Sequence, residues 1–145
     1  SDVCSSDLKH DFAKTLVPKP VLTKAKEAAR FGVLYYGSTA PAMNESLEEL
    51  AGKGVHVDAM RIRAFPFADE VAEFVKQHAK VFVVEQNRDA QLKQLLVNEA
   101  HIEPSSLVSI LHYYGTPITA RFISKEIAEV VTALNVTPIK KGKAA

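Results

Sequence analysis

The chain has 145 residues, 47% of them apolar and 24% charged, the size and balance of about one soluble globular domain. Its net charge of +1 argues against a nucleic-acid partner, which would call for a strong basic excess. Its apolar runs fall far short of the ~20 residues of a membrane span, and its polar start lacks the apolar core of a secretory signal.

The single cysteine, Cys4, can neither close an internal disulfide nor hold an iron–sulfur cluster. The chain is therefore compatible with a reducing cytoplasm. Residues 1–8, SDVCSSDL, match in frame the translation of a common sequencing-library adapter. They suggest no structural element, and we expect them to be such a translation rather than native protein. Residues 9–30 are charged and contain Pro18 and Pro20. They read as a linker from a missing upstream domain, with a short helical turn around 23–30.

From Phe31 the pattern becomes regular. GVLYY at 32–36 is a short run of β-formers ended by Gly37. Ser38 or Thr39 can cap the helix that follows, Pro41 is tolerated in its first turn, and Gly54 suits a left-handed cap at its end. Residues 55–63, VHVDAMRIR, alternate apolar and polar positions as a half-buried strand does. Pro66 breaks that strand, and Val71, Phe74 and Val75 mark one face of a second helix. VFVVE at 81–85 is the most apolar run and reads as a strand buried on both faces. A third helix carries Leu92, Leu95 and Leu96, LVSIL at 107–111 is a fourth strand, and Thr119 caps a last helix bearing Phe122, Ile123, Ile127, Val130 and Val131. Residues 31–134 thus read as an α/β domain. Residues 135–145, with Lys140, Lys141 and Lys143, read as a flexible basic tail. The β-α alternation predicts a mostly parallel sheet between two helical layers, a three-layer α/β/α fold.

In open α/β sheets ligands bind beyond the carboxyl ends of the strands. Four polar segments occupy those ends: 36–39, 61–67, 85–91 and 112–117. Tyr36, Ser38 and Thr39 precede a helix amino terminus but lack the glycines or the lysine of a phosphate loop, so capping is the stronger reading. Glu85, Asn87, Arg88 and Gln91 form the densest polar cluster. A carboxylate and a guanidinium placed there can clamp a ligand or a partner chain, or form an internal salt bridge with Asp89 capping the helix. Arg61 and Arg63 alternate on one strand, pointing the same way, and pair with neighbouring carboxylates or an acidic partner. His112 is the one histidine near this edge. His56, His78 and His101 show no metal-ligand spacing with it, with each other or with a carboxylate. No catalytic residue is expected, because no nucleophile–base arrangement or carboxylate pair stands out.

The segments FGVLYYGSTAPAM, MRIRAFPF, VFVVEQNRDAQLKQLL and ILHYYGTPITARFI resemble, in order and spacing over residues 18–127, the end of the alpha subunit of 2-oxoacid:ferredoxin oxidoreductases, the 2-oxoglutarate type in particular. VVEQNRDAQ is the most specific of these motifs. Tyr114 departs from the family pattern, which usually carries aspartate there.

The resemblance implies a domain like the carboxy-terminal domain of transketolase, with five strands, often one of them antiparallel at an edge. The pattern above supplies four, so a fifth would come from residues 9–30 or from the tail. It also implies a parent complex that oxidatively decarboxylates a 2-oxoacid with thiamine diphosphate, magnesium, an iron–sulfur cluster and coenzyme A, passing electrons to ferredoxin. The chain has no diphosphate–magnesium motif and no cluster cysteines, so it is expected to bind none of these cofactors alone. Its implied partners are the upstream domains of its own subunit and the beta subunit. Glu85, Asn87, Arg88 and Gln91 then become positioning or interface residues. Two other readings of the residues stand beside it: a free-standing small-ligand module and a pure protein-interaction domain.

Overall fold

The structure is a computed structural model that describes residues 3–136, with the side chains of residues 3–7, 10 and 136 left out. Of the basic tail expected at 135–145, residues 135–136 continue the last helix instead, and residues 137–145 lie outside the described residues. In chain order the elements are α1 (Val3–Leu16), β1 (Val21–Thr23), β2 (Phe31–Tyr36), α2 (Ala40–Gly52), β3 (Val57–Ile62), α3 (Asp69–Lys76), β4 (Lys80–Glu85), α4 (Gln91–Glu99), β5 (Leu107–Leu111) and α5 (Ala120–Val136). Short 3-10 turns at Gly37–Thr39 and Pro104–Ser106 precede α2 and β5.

The five strands form one sheet in the order β1-β3-β2-β4-β5. Strands β2 to β5 are mutually parallel, and β1 runs antiparallel along β3, with Val21 opposite Arg61 and Thr23 opposite Ala59. The fifth strand therefore comes from residues 9–30. Consecutive parallel strands are joined by helices, α2 between β2 and β3, α3 between β3 and β4 and α4 between β4 and β5. A parallel connection must carry the chain back to the end of the sheet where the preceding strand began.

Alternate residues of the strands feed two apolar cores. On one face Val33, Tyr35, Ala59, Phe82, Val84 and Ile110 pack with Met43 and Leu50 of α2 and Ile123, Ile127 and Val131 of α5. On the other, Leu34, Met60, Ile62, Val81 and Val83 meet Val71, Phe74 and Val75 of α3 and Leu92 and Leu96 of α4. The result is the three-layer α/β/α arrangement, with every residue of 81–85 buried.

Three local readings change. Residues Val3–Leu16 form a helix where the composition suggested no element. Leu8, Phe12 and Leu16 recur at helical spacing along it and all three are exposed. Residues 24–30 hold bends rather than a helical turn. Strand β3 is not half-buried: of its six residues only Arg61 is exposed. Its polar Asp58, which gave the alternation, is buried because it has partners inside the protein. Gly54 does take the left-handed conformation after α2, at φ 77°, and the Thr119 hydroxyl accepts the Phe122 N–H at 3.2 Å at the start of α5.

Candidate functional site at the carboxyl edge of the sheet

Because β2 to β5 are parallel, the segments that follow them, at 36–39, 61–67, 85–91 and 112–117, share one edge. The centre of that edge is Glu85, the last residue of β4, which is fully buried. Its carboxylate has no cationic partner among the described residues. It accepts the backbone N–H of Leu92 at 2.6 Å and of Lys93 at 3.3 Å, and the side-chain amide of Asn87 at 3.0 Å. Those backbone donors belong to the first turn of α4, whose N–H groups have no partner within the helix. A buried carboxylate is thus satisfied by neutral donors and by the positive end of a helix.

Asn87 completes the turn. Its side-chain oxygen accepts the N–H of Asp89 at 3.1 Å and of Gln91 at 3.2 Å, and its amide also donates to the Tyr36 hydroxyl at 3.3 Å. Asp89 caps nothing. The helix is capped from Glu85 and Asn87, and Ala90 adopts a left-handed φ of 51° to let the chain turn into it. Burial raises the Tyr36 pKa above its ordinary 10.0, and the charge of Glu85 and a hydrogen bond to it add to this, while the bond from Asn87 partly offsets it. The phenol therefore stays protonated in its place between the two.

The neighbouring loops are tied to this turn. The Gln86 amide donates to the Ser38 hydroxyl at 2.8 Å and to Thr39 at 3.3 Å, so neither hydroxyl caps α2. The His112 N–H donates to the Glu85 carbonyl at 2.9 Å. The His112 ring is buried against Tyr114 and Phe122, edge to face, at 5.5 and 4.9 Å between centroids. Tyr113 and Tyr114 stack at 5.0 Å, both exposed.

The arginines are less engaged. Arg88 projects from the turn with its side chain 76% exposed and a single ion pair, to Asp89 at 3.4 Å. Strand β3 ends at Ile62, so strand alternation stops before Arg63. Arg61 lies opposite Tyr35, whose pKa burial raises against the lowering pull of that guanidinium. Arg63 lines a cleft of about 420 Å³ with Tyr36, Ile62, Phe65, Phe67, Gln91 and Leu95. Among the described residues neither Arg61 nor Arg63 forms the carboxylate pair expected of it.

Two features escaped the sequence. Gln86 sits inside a segment chosen for its charges, yet it is the residue that fastens 36–39. At the opposite, amino edge of the sheet, Asp58 accepts the Ala25 N–H at 2.8 Å and meets His78 Nε2 at 2.9 Å, while His78 Nδ1 meets the Phe74 carbonyl at 2.7 Å. No spacing signal links residues 20 positions apart in separate elements. Among the described residues no group of three His, Cys, Asp or Glu could hold a metal ion, and no helix is long and apolar enough to cross a membrane.

No protein-family model matches the sequence, and no curated protein matches it significantly. Solved structures do match. The 2-oxoglutarate:ferredoxin oxidoreductase of Magnetococcus marinus, solved with 2-oxoglutarate, coenzyme A and succinyl-CoA bound, aligns with a TM-score of 0.72 at 21% identity over 88% of this chain. A split-gene transketolase, an inactive β4 tetramer, aligns with a TM-score of 0.62 at 18% identity over 79% of the chain. The fold is the transketolase C-terminal-like one.

The transketolase C-terminal-like domain described above spans 23% of the Magnetococcus chain and 42% of the transketolase chain. The alpha chain of a probable 2-oxoacid ferredoxin oxidoreductase from Thermoplasma acidophilum is different in this respect. It matches at 28% identity with a TM-score of 0.53, over 79% of this chain and 97% of its own length. One of these neighbours is thus a 2-oxoglutarate:ferredoxin oxidoreductase and another the alpha chain of a probable 2-oxoacid ferredoxin oxidoreductase.

Proposed function

We propose that the chain serves as the transketolase C-terminal-like domain of the alpha subunit of a thiamine-dependent 2-oxoacid:ferredoxin oxidoreductase, holding its neighbours in place. The likeness to the Thermoplasma alpha chain, which is covered almost end to end, carries this reading. In such a complex thiamine diphosphate with magnesium supports decarboxylation of the 2-oxoacid, coenzyme A takes the acyl group, and an iron–sulfur cluster passes electrons to ferredoxin.

The described residues do not fit those groups. The helix amino terminus at the centre of the edge is filled by the protein's own Glu85 carboxylate and by Asn87, leaving no free N–H cradle for a diphosphate. No metal-binding cluster stands beside it among the described residues. On this reading the cofactors are held by upstream domains and the beta subunit, and this chain contributes contact and orientation.

The surface it offers is the carboxyl edge. The Glu85–Asn87 network builds a rigid turn, and that turn presents Arg88 outward. The stacked pair Tyr113 and Tyr114 is exposed on the same edge. Arginine and tyrosine are enriched where interfaces hold most of their energy.

A tagged chain expressed in its native host should copurify with a thiamine-binding subunit and with coenzyme A-dependent 2-oxoacid oxidation. Recovery of the chain alone, without that activity, would refute the assignment. Arg88→Ala should weaken subunit association about tenfold with the melting temperature unchanged, as measured by analytical ultracentrifugation and calorimetry.

A further inference from the structure

The contact role leaves the cleft beside α4 unexplained. Its volume of about 420 Å³ falls within the roughly 300–1,000 Å³ of small-ligand sites. Ile62, Phe67 and Leu92 are buried beneath it, and Phe65 and Leu95 flank it, each partly exposed. Three polar side chains line it with these apolar ones: the Tyr36 hydroxyl is engaged with Asn87 and Glu85, whereas the side chains of Arg63 and Gln91 have no hydrogen-bond or ionic partner among the described residues. A guanidinium stays charged at every physiological pH and offers a planar fork to a carboxylate. Arg63 and Gln91 are both exposed, so they stand at the rim of the cleft, where a carboxylate can reach them from solvent.

The surroundings also limit the charge a ligand can carry. The first N–H groups of α4 are already spent on Glu85 and Asn87, and the Glu85 charge lies close enough to act on Tyr36, which lines the cleft. A phosphate or dicarboxylate would meet one cation and a nearby fixed anion. A single carboxylate on an apolar body matches both the lone guanidinium and the walls.

We propose that this cleft binds a small monocarboxylate with an apolar or aromatic body, its carboxylate on Arg63 and its body against Phe65, Phe67 and Leu95. The ligand is either a free acid or the carboxy-terminal residue of another chain. The site is complete within this chain, although it lies on the same carboxyl edge as the proposed contact surface.

The test is an amide NMR titration of the 145-residue chain with 3-phenylpropanoate, its neutral amide 3-phenylpropanamide, and N-acetylglycylphenylalanine with a free carboxylate. The acid should saturate with a millimolar dissociation constant and shift the amides of Ala64, Phe65, Leu92 and Leu95. The neutral amide should bind about tenfold more weakly. Arg63→Met should erase that difference, and Leu95→Ala should weaken both ligands while keeping it; the dispersion of the spectrum reports folding in each variant. A peptide that binds more tightly than the free acid assigns the site to a chain terminus, and the reverse order assigns it to a free acid. Absence of saturable shifts up to about 20 mM, or equal binding of acid and amide by the folded chain, overturns the proposal.

Discussion

The two edges of the sheet each bury a carboxylate, and they satisfy it by different means. At the carboxyl edge Glu85 is surrounded by neutral donors: two backbone N–H groups of α4, the Asn87 amide and the Tyr36 hydroxyl. At the amino edge Asp58 takes one backbone N–H, from Ala25, and faces the imidazole of His78. Glu85 is locked to the helix that directly follows it in the chain. Asp58 instead joins three separate segments, the approach to β2, strand β3 and the end of α3. A helix start can therefore stand in for a counter-ion, and the edge it serves is left with spare cations to present outward.

Glu85→Ala should be the most damaging change. It strips the first turn of α4 of its acceptor and leaves the Leu92 and Lys93 donors without one. A cost of about 3–4 kcal/mol is expected, read as a drop in the urea midpoint at unchanged slope. Glu85→Gln should recover part of the loss, since it restores one acceptor oxygen. A loss equal to that of an exposed carboxylate would mean that the cap is not a structural centre.

At the amino edge the prediction concerns pH. Burial pushes the Asp58 pKa up, but the Ala25 N–H, the hydrogen bond and charge of His78, and Lys24 outweigh it and hold it below the ordinary 3.8. A group whose folded pKa is depressed stabilises the fold above its unfolded value and loses that contribution as pH falls through the folded one. Asp58→Asn should therefore destabilise the chain at pH 7, and the difference from wild type should shrink as pH drops below about 4. Chemical denaturation across that range checks it; a difference constant with pH would show that the carboxylate charge contributes nothing.

Close packing around the same pair gives a smaller effect. A methyl group at Gly32 would meet the Phe74 ring at 2.7 and 2.8 Å and the His78 ring at 3.2 Å. Both rings are held, Phe74 by the core and His78 by two hydrogen bonds. Gly32→Ala should cost about 1–3 kcal/mol by calorimetry, whereas an unperturbed melting temperature would reveal slack at this edge. The smallest change has the opposite sign. Ala90 holds a left-handed φ of 51° at the entry to α4, so Ala90→Gly should relieve strain and stabilise by about 0.5 kcal/mol.

Much of this architecture is written in local pattern. The run at 81–85 and the run at 107–111 are apolar β-formers bounded by polar turns, and they become β4 and β5 at almost those limits. Helical spacing likewise marked the apolar faces of α3 and α5, and in α4 it found the buried Leu92 and Leu96 together with Leu95, which is exposed. Strand β1 was not legible, since three exposed residues between prolines and lysines carry no burial pattern. It exists because the edge of β3 offers an unpaired ladder. The apparent alternation of β3 misled for a related reason: Asp58 looked solvent-facing, but its partners come from residues 25 and 78.

For the site, the sequence by itself determined which residues gather at one edge. Parallel strands send their carboxyl ends the same way, so Tyr36, Arg63, Glu85 and His112 were grouped by topology alone. Only the tertiary structure decided their parts. It turned Glu85 and Asn87 inward as the cap of α4, left Arg88 in solvent, set Arg63 over an apolar cleft and brought in Gln86. The reason is physical: a charge in a loop has the same sequence signature whether it faces water or a helix start. What fixes its role is the set of donors that the rest of the chain brings within hydrogen-bond reach.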